Sequence, residues 1–443
     1  MILDWFYDTL PLWMFAALFV FLMLGYPVAF SIGGVAMAFG FLYLGLDDFN
    51  LLPGRIFDII QKSILLAVPL FIFMGVTLER AGIAEDLLET MSLLLGRIKG
   101  GLALSVVLVG ALLAASTGIV GATTVTMGLL ALPTMLRRGV SPRLATGTIA
   151  AAGTLGQIIP PSIVLVILGD IMGVPVGDLF MGAVIPGLLL VALYMAYVVL
   201  VGTFFPKSAP PVSREELSTL APGELTARVM KSLLPPMVLI LVVLGSILTG
   251  VAAPTEAAAL GALAALGLAR VNKKLNRPML EQVMRTTTRL TSMVFVIMVA
   301  ASLFSLVFRD LDGDLLVRES FTGLGVSRWS VLALVMLGLF LAGFFLDFIE
   351  ITFIFVPVVA PLMVHLGFDP LWFAILVAIN LQTSFLTPPF GYSLFYLKSV
   401  APDVDTRDIY LGVIPFVAVQ LLGLGLVMVF PQMVLWLPRV LFG

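Results

Sequence analysis

Two stretches decide the fold: Gly153-Thr154-Leu155-Gly156-Gln157-Ile158-Ile159-Pro160-Pro161-Ser162 and Gln382-Thr383-Ser384-Phe385-Leu386-Thr387-Pro388-Pro389-Phe390-Gly391. Each lies inside an apolar run, near 144 to 172 and 370 to 397. A proline within a helix removes a backbone donor and strikes the carbonyl one turn earlier, so paired prolines beside glycine or serine unwind the helix locally. Unwinding exposes carbonyl oxygens and begins a fresh helix N-terminus. Inside a membrane, such carbonyls suit Na+ and such an N-terminus suits a carboxylate. A kink that only shapes packing is the alternative for either stretch alone, and the matched placement of the two argues for a site.

The surrounding runs are membrane material. Of 443 residues, 60% are hydrophobic and 11% charged, with a mean hydropathy of +1.15. A soluble globule carries about 25% charged residues. One helical crossing takes about 20 apolar residues. Apolar runs fall near 10 to 25, 27 to 45, 63 to 80, 100 to 136, 144 to 172, 178 to 205, 233 to 250, 254 to 269, 285 to 308, 329 to 364, 370 to 397 and 409 to 437. The chain therefore reads as an all-α polytopic membrane protein, with the lipid bilayer as its first partner. The opening residues carry Asp4 and Asp8 and no basic residue precedes Arg55, whereas an export signal needs a basic start. A net charge of −2 gives no footprint for nucleic acid. The absence of cysteine excludes disulfides, thiolate metal sites and a cysteine nucleophile, and His365, the single histidine, excludes histidine-relay and metalloprotease chemistry.

Basic tracts at Arg97 and Lys99, at Arg137, Arg138 and Arg143, and at Arg270, Lys273, Lys274 and Arg277 predict cytoplasmic loops. The run 100 to 136 has basic residues at both ends and a small, polar centre at Ala115-Ser116-Thr117-Gly118-Ile119-Val120-Gly121. A helical hairpin that enters from the cytoplasm and turns inside the membrane reconciles these facts, provided protein or a water-filled cavity covers the turn. The run 329 to 364, with its midpoint at Gly343 to Glu350, predicts a second hairpin entering from the opposite face. With both counted as re-entrant, the N-terminus falls outside.

Repetition points the same way. Pro27 matches Pro254, Pro133 matches Pro357 and Pro160 matches Pro388, at offsets of 227, 224 and 228. Residues 1–205 and 233–443 then read as two inverted-topology repeats joined by a cytoplasmic linker at 206–232. Each contains three spans, a hairpin, a Pro-Pro-broken span and a last span, the plan of many secondary transporters. The hairpins and broken spans are expected to move together against a scaffold containing the first and last spans of each half.

Site candidates follow from depth and chemistry. Ser116 and Thr117 offer hydroxyls at the first hairpin turn, while Thr123 and Thr124 read as packing residues. Asp347 and Glu350 stand three residues apart in an apolar stretch, where a carboxylate costs about 2.5 to 3.5 kcal/mol at the bilayer centre. Asp347 is expected to fix the turn and a cation site, and Glu350 to stay protonated or face a water-filled cavity. A salt bridge or helix cap is their structural alternative. Pro160, Pro161, Ser162, Glu350, Gln382, Thr383, Pro388, Pro389 and Gly391 are the candidate substrate-path residues. Glu256 behind Pro254 reads as a helix cap, His365 as a hairpin-end residue, Asp170 and Asp178 as flanking an external turn, and Glu79-Arg80 as an interfacial pair.

Taken in order, Val68-Pro69-Leu70-Phe71-Ile72-Phe73-Met74-Gly75, Gly153 to Ser162, Pro254-Thr255-Glu256-Ala257-Ala258 and Leu386-Thr387-Pro388-Pro389-Phe390-Gly391 resemble the large membrane subunit of tripartite ATP-independent periplasmic (TRAP) transporters over nearly the whole chain. The resemblance implies a sodium-coupled importer in a prokaryotic inner membrane, working with a small TRAP membrane subunit and a periplasmic substrate-binding protein through an elevator motion. It also implies Na+ sites at Ser116, Thr117 and Gly118 with Gly156 and Ile159, and at Gly343 to Asp347 with Ser384 and Thr387. Many members have glycine where this chain has Ser384, and the Phe344 to Glu350 run is not the family's commonest version. The substrate class this suggests is keto, hydroxy or larger organic acids.

The expected function is therefore Na+-coupled uptake of an organic acid anion, without an organic cofactor. The alternatives are a self-sufficient sodium/dicarboxylate or citrate carrier, an intramembrane enzyme using Asp347 and Glu350, and a passive channel.

Overall fold

The apolar runs form helices wherever glycine and proline allow. The computed structural model describes residues 9–45, 47–117, 120–211, 224–322, 325 and 327–442, and every regular element among them is helical. The first half comprises α1 (Leu10–Met23), α2 (Val28–Phe39), α3 (Leu52–Gln61), α4 (Ala67–Arg80), α5 (Ile83–Leu94), α6 (Gly101–Thr117), α7 (Val120–Arg137), α8 (Pro142–Thr154), α9 (Ile163–Met172) and α10 (Val176–Phe204). The second comprises α11 (Glu224–Ser232), α12 (Leu234–Leu248), α13 (Pro254–Val271), α14 (Arg277–Asp310), α15 (Gly313–Thr322), α16 (Arg328–Ala342), α17 (Phe348–Ile354), α18 (Val356–His365), α19 (Pro370–Leu386), α20 (Tyr392–Val400), α21 (Thr406–Val429) and α22 (Gln432–Phe442).

Short polar side chains start these helices. Ser141, Asn276, Ser327, Asp369 and Asp405 each accept a backbone N–H in the first turn of α8, α14, α16, α19 and α21. Glu256 reaches back to the Ala253 N–H at 2.8 Å, the cap expected from the sequence. Gly139 before α8 and Gly367 before α19 turn the chain at φ +79° and +81°, a region open to glycine at little cost.

Five helices are long and apolar enough to cross a membrane among the described residues, or six if α17 and α18, bent by 56° at Phe355, count as one. The other apolar runs are cut into shorter helices. The run 100 to 136 holds α6 and α7, and the run 329 to 364 holds α16, α17 and α18. Both Pro-Pro runs are interrupted, between α8 and α9 and between α19 and α20. Of the expected linker, residues 212–223 lie outside the described residues. Its end is helical: α11 lies along α5, with Arg228 Nη1 2.9 Å from Glu89 Oε1.

Helix starts repeat. Residues 28, 83, 101, 120, 142, 163 and 176 begin α2, α5, α6, α7, α8, α9 and α10, and 254, 313, 328, 348, 370, 392 and 406 begin α13, α15, α16, α17, α19, α20 and α21. The offsets run from 226 to 230. Packing is exchanged in the same sense: α2 packs on α14 as α13 packs on α4, α8 on α21 as α19 on α10, and α7 on α20 as α17 and α18 on α9.

Of the last spans, α21 packs chiefly on the broken helices α8 and α19 and on α10, whereas α10 packs first on α22 and α21 and then on α6, α9 and α19. Glycine explains part of this. At the crossing of α8 and α21, a Cβ on Gly147 would meet the Gly412 carbonyl, and one on Gly412 would meet the Arg143 carbonyl. Backbones this close bind the last span to the broken helix.

Candidate functional site

In the first break, a short turn at Leu155–Gln157 ends α8, and Ser162 Oγ donates to the Gln157 carbonyl at 2.9 Å across the Pro160-Pro161 pair. In the second, Thr387 ends α19, and its Oγ1 donates to Thr383 O at 2.8 Å. Thr383 Oγ1 donates in turn to Ile379 O at 2.8 Å. Gly391 is obligatory in this break, because a Cβ there would lie 2.8 Å from Phe385 O and 2.9 Å from Thr387 O. Both Pro-Pro peptide bonds are cis. Gln157 and Gln382 are fully buried, and their side-chain amides have no hydrogen-bond partner among the described residues.

Each break presses against the hairpin of its own half. A Cβ on Gly156 would meet the Ala114 carbonyl at 3.2 Å, near the end of α6, and one on Gly343 would meet Ser384 Cβ at 2.8 Å, at the end of α16. Ser384 Oγ donates to Phe340 O, and Asn380 Nδ2 donates to Met336 O at 2.8 Å, so α19 is tied to α16 twice. Thr124, read as a packing residue, is buried with its Oγ1 3.3 Å from Ser393 Oγ. Gly118 and the side chains of Ser116 and Thr117 lie outside the described residues. Ile159 is half-buried beside Gly187 in α10.

Asp347 and Glu350 form the cap that was their structural alternative. Asp347 Oδ1 accepts the Phe348 N–H at 2.7 Å, and Glu350 Oε2 accepts the Asp347 N–H at 2.9 Å. The pair thereby starts α17 in mid-stretch, where a bare helix N-terminus would otherwise leave donors unpaired. Asp347 also lines a cavity, whereas Glu350 is not among the lining residues.

That cavity, of about 490 Å³, lies between α4 and α14 on one side and α7, α9, α17 and α20 on the other. Its wall includes Val120, Ile163, Phe348 and Tyr392, the first residues of those last four helices. A helix N-terminus carries roughly half a positive charge, so those of α7, α9 and α20 favour an anion, while the start of α17 is already met by its own carboxylates, Asp347 and Glu350. Arg80 and Arg289 add two guanidinium groups from the opposite side, and Glu79 and Asp347 bring two carboxylates to the same wall. Tyr392 and Tyr396 are packed edge to face with their hydroxyls 3.0 Å apart. The rest of the wall is largely apolar, including Ile72, Val76, Leu290 and Met293. Among the described residues no group of three histidines or carboxylates is placed for a metal ion, so any cation here would meet hydroxyls, carbonyls and at most one or two carboxylates.

Sequence reasoning missed Arg80, Arg289, Tyr392 and Tyr396. Glu79 and Arg80, read as an interfacial pair, both line this cavity, and Thr126 Oγ1 on α7 donates to Glu79 Oε1 at 3.2 Å. Asp170 binds Lys62 Nζ at 2.9 Å. His365 closes α18, as expected of a hairpin-end residue.

The family model for the DctM component of the tripartite ATP-independent periplasmic transporter matches residues 15–433. The C4-dicarboxylate TRAP transporter large permease protein of Pseudomonas aeruginosa is 31% identical over 92% of this chain and 93% of its own length. The sialic acid TRAP transporter large permease protein of Vibrio cholerae is 29% identical over 95% and 97%. In fold, the chain resembles the Alcanivorax borkumensis YdaH transporter, with a TM-score of 0.62 at 16% identity over 97% of this chain and 99% of that one.

Proposed function

The chain belongs to the DctM component family of tripartite ATP-independent periplasmic transporters and is a multi-pass permease subunit, not an enzyme, and on that premise we propose that it carries an organic acid anion inward with Na+. It does so in the cytoplasmic (inner) membrane together with a small membrane subunit and a periplasmic substrate-binding protein. The observation that carries the anion reading is the cavity on which the N-termini of α7, α9 and α20 converge opposite Arg80 and Arg289. Similarity to permeases named for C4-dicarboxylates and sialic acid, all carboxylates, agrees with it.

Cotransported Na+ offsets the anion's charge, and the membrane potential adds about 2.3 kcal/mol per net positive charge per 100 mV. We assign one cation place to Ser116, Thr117 and Gly118 with Gly156 and Ile159, and a second to Gly343 and Asp347 with Ser384 and Thr387. The matched approach of each break to its own hairpin, at Gly156 with Ala114 and at Gly343 with Ser384, supports this pairing. Pro160, Pro161, Ser162, Gln382, Thr383, Pro388, Pro389 and Gly391 shape the breaks from which α9 and α20 start, and Glu350 acts through the cap it shares with Asp347. The near-constant offset and exchanged packing of the halves favour an inverted repeat with re-entrant hairpins, and the basic tracts favour an N-terminus outside.

Uptake into proteoliposomes tests the reading, using the protein with its small subunit and a cognate solute-binding protein. Uptake is expected to require an inward Na+ gradient and the binding protein. Uptake unaffected by replacing Na+ with K+ would remove the coupling ion, and uptake without the binding protein would make the chain a self-sufficient carrier.

A further inference from the structure

Beyond the transport cavity, a second pocket of about 330 Å³ opens between α5, α11 and α13. Its polar residues are Asp86, Glu89, Thr90, Arg228, Lys231 and Ser232, with Asn272 at one side. Through Pro235 and Leu268 it runs on into a groove of about 370 Å³ between α12 and α13. That groove is walled by carbon: Leu234, Val238 and Val242 on α12 and Leu260, Ala264 and Leu268 on α13. Val242 and Leu260 are 55% and 52% exposed. A charged pocket that continues into an apolar groove, at the point where α12 enters its apolar run, has the shape of a headgroup joined to an acyl chain.

We propose that this pocket and groove bind one phospholipid of the zwitterionic, primary-amine class, with its headgroup in the pocket and an acyl chain along α12 and α13. Charge chooses the headgroup. The pocket holds two acids and two bases, so a neutral headgroup fits it better than a net-anionic one. Glu89 and Arg228 already pair at 2.9 Å, and Thr90 Oγ1 lies 2.8 Å from Ser232 Oγ. Asp86 and Lys231 remain as one acid and one base with no ion-pair partner among the described residues. Lys231 meets the phosphate and Asp86 the ammonium. A primary ammonium donates charge-assisted hydrogen bonds to a carboxylate, which a quaternary choline group cannot do. An anionic glycerol headgroup would satisfy Lys231 and leave Asp86 facing like charge. The hydrocarbon of the groove adds affinity of the ordinary hydrophobic kind.

The test uses the purified full chain, delipidated in detergent and offered phosphatidylethanolamine, phosphatidylglycerol or phosphatidylcholine, with retained lipid counted by native mass spectrometry. The expected result is one phosphatidylethanolamine per chain, preferred about tenfold over the other two. Asp86→Asn and Lys231→Gln should each reduce its retention about tenfold, and Val242→Trp, which fills the groove, should do the same, while thermal unfolding without lipid stays as in the wild type. Equal or stronger retention of phosphatidylglycerol or phosphatidylcholine by the wild type would overturn the proposal without any variant. So would variants that keep phosphatidylethanolamine unchanged.

Discussion

Asp347 holds the start of α17 through its own side chain, and Glu350 closes the same cap from the other direction. Their carboxylates therefore have a structural duty that substitution can separate from a cationic one. Asparagine is as good an N-cap as aspartate, and glutamine serves at the third position of a capping box, so both neutral variants keep the turn. Glu350→Gln is expected to leave thermal stability and uptake nearly as in the wild type, whereas Glu350→Ala should cost about 0.5–2 kcal/mol of stability. Asp347→Asn should fold normally yet need at least tenfold more Na+ for half-maximal uptake, measured by a Na+ titration at fixed substrate. An unchanged titration would leave Asp347 a cap alone. At Arg289, loss of one guanidinium against a carboxylate is worth about 1.5–3 kcal/mol, so Arg289→Gln should raise the KM for the anion about tenfold or more with normal unfolding behaviour. The capping pair was readable at its spacing of three, but Arg80 and Arg289 were not. They stand 209 positions apart in sequence, and only the packing of α4 against α14 turns both toward one cavity.

Among the elements, the interrupted helices were the most legible, because proline acts on its own turn whatever surrounds it. The close packing of α21 on α8 was not legible. It depends on glycines whose neighbours lie hundreds of residues away, as at Gly147 and Gly412, where either side chain would strike a backbone carbonyl that cannot swing aside. Gly147→Ala or Gly412→Ala is therefore expected to lower stability by about 1–3 kcal/mol, the cost of overpacking, and to lower the unfolding midpoint accordingly. Gly34, on an open face of α2 with nothing near its would-be Cβ, is the control. Gly34→Ala should be neutral or slightly stabilising, since alanine is favoured over glycine in a helix interior by about 1 kcal/mol. Equal effects at the three positions would mean that α8 and α21 do not rely on their close approach.

At the scale of the whole molecule, two sets of helices face each other across the cavity. One is α2, α4, α13 and α14, packed crosswise between the halves, and the other comprises the hairpins, the broken helices, α10 and α21. Polar side chains link them. Thr126 on α7 donates to Glu79 on α4 at 3.2 Å, and Lys62, after α3, holds Asp170 on α9 at 2.9 Å. If the second set travels against the first to carry its cargo, these contacts must break and re-form in every cycle. The chain has no cysteine, so engineered pairs report without background. Glu79→Cys with Thr126→Cys, joined by a short bifunctional maleimide, should lose at least tenfold in uptake, while the same variant before cross-linking keeps it and each single cysteine is indifferent to the reagent. Should Glu79→Cys itself impair uptake, the pair Lys62→Cys with Asp170→Cys asks the same question away from the cavity wall. Because α21 packs on the broken helices α8 and α19, a third pair placed between α8 and α21 should be cross-linked without loss of transport. Full activity in the first two cross-linked proteins would mean that the two sets do not move past each other, and transport would then have to proceed by local opening of the hairpins alone.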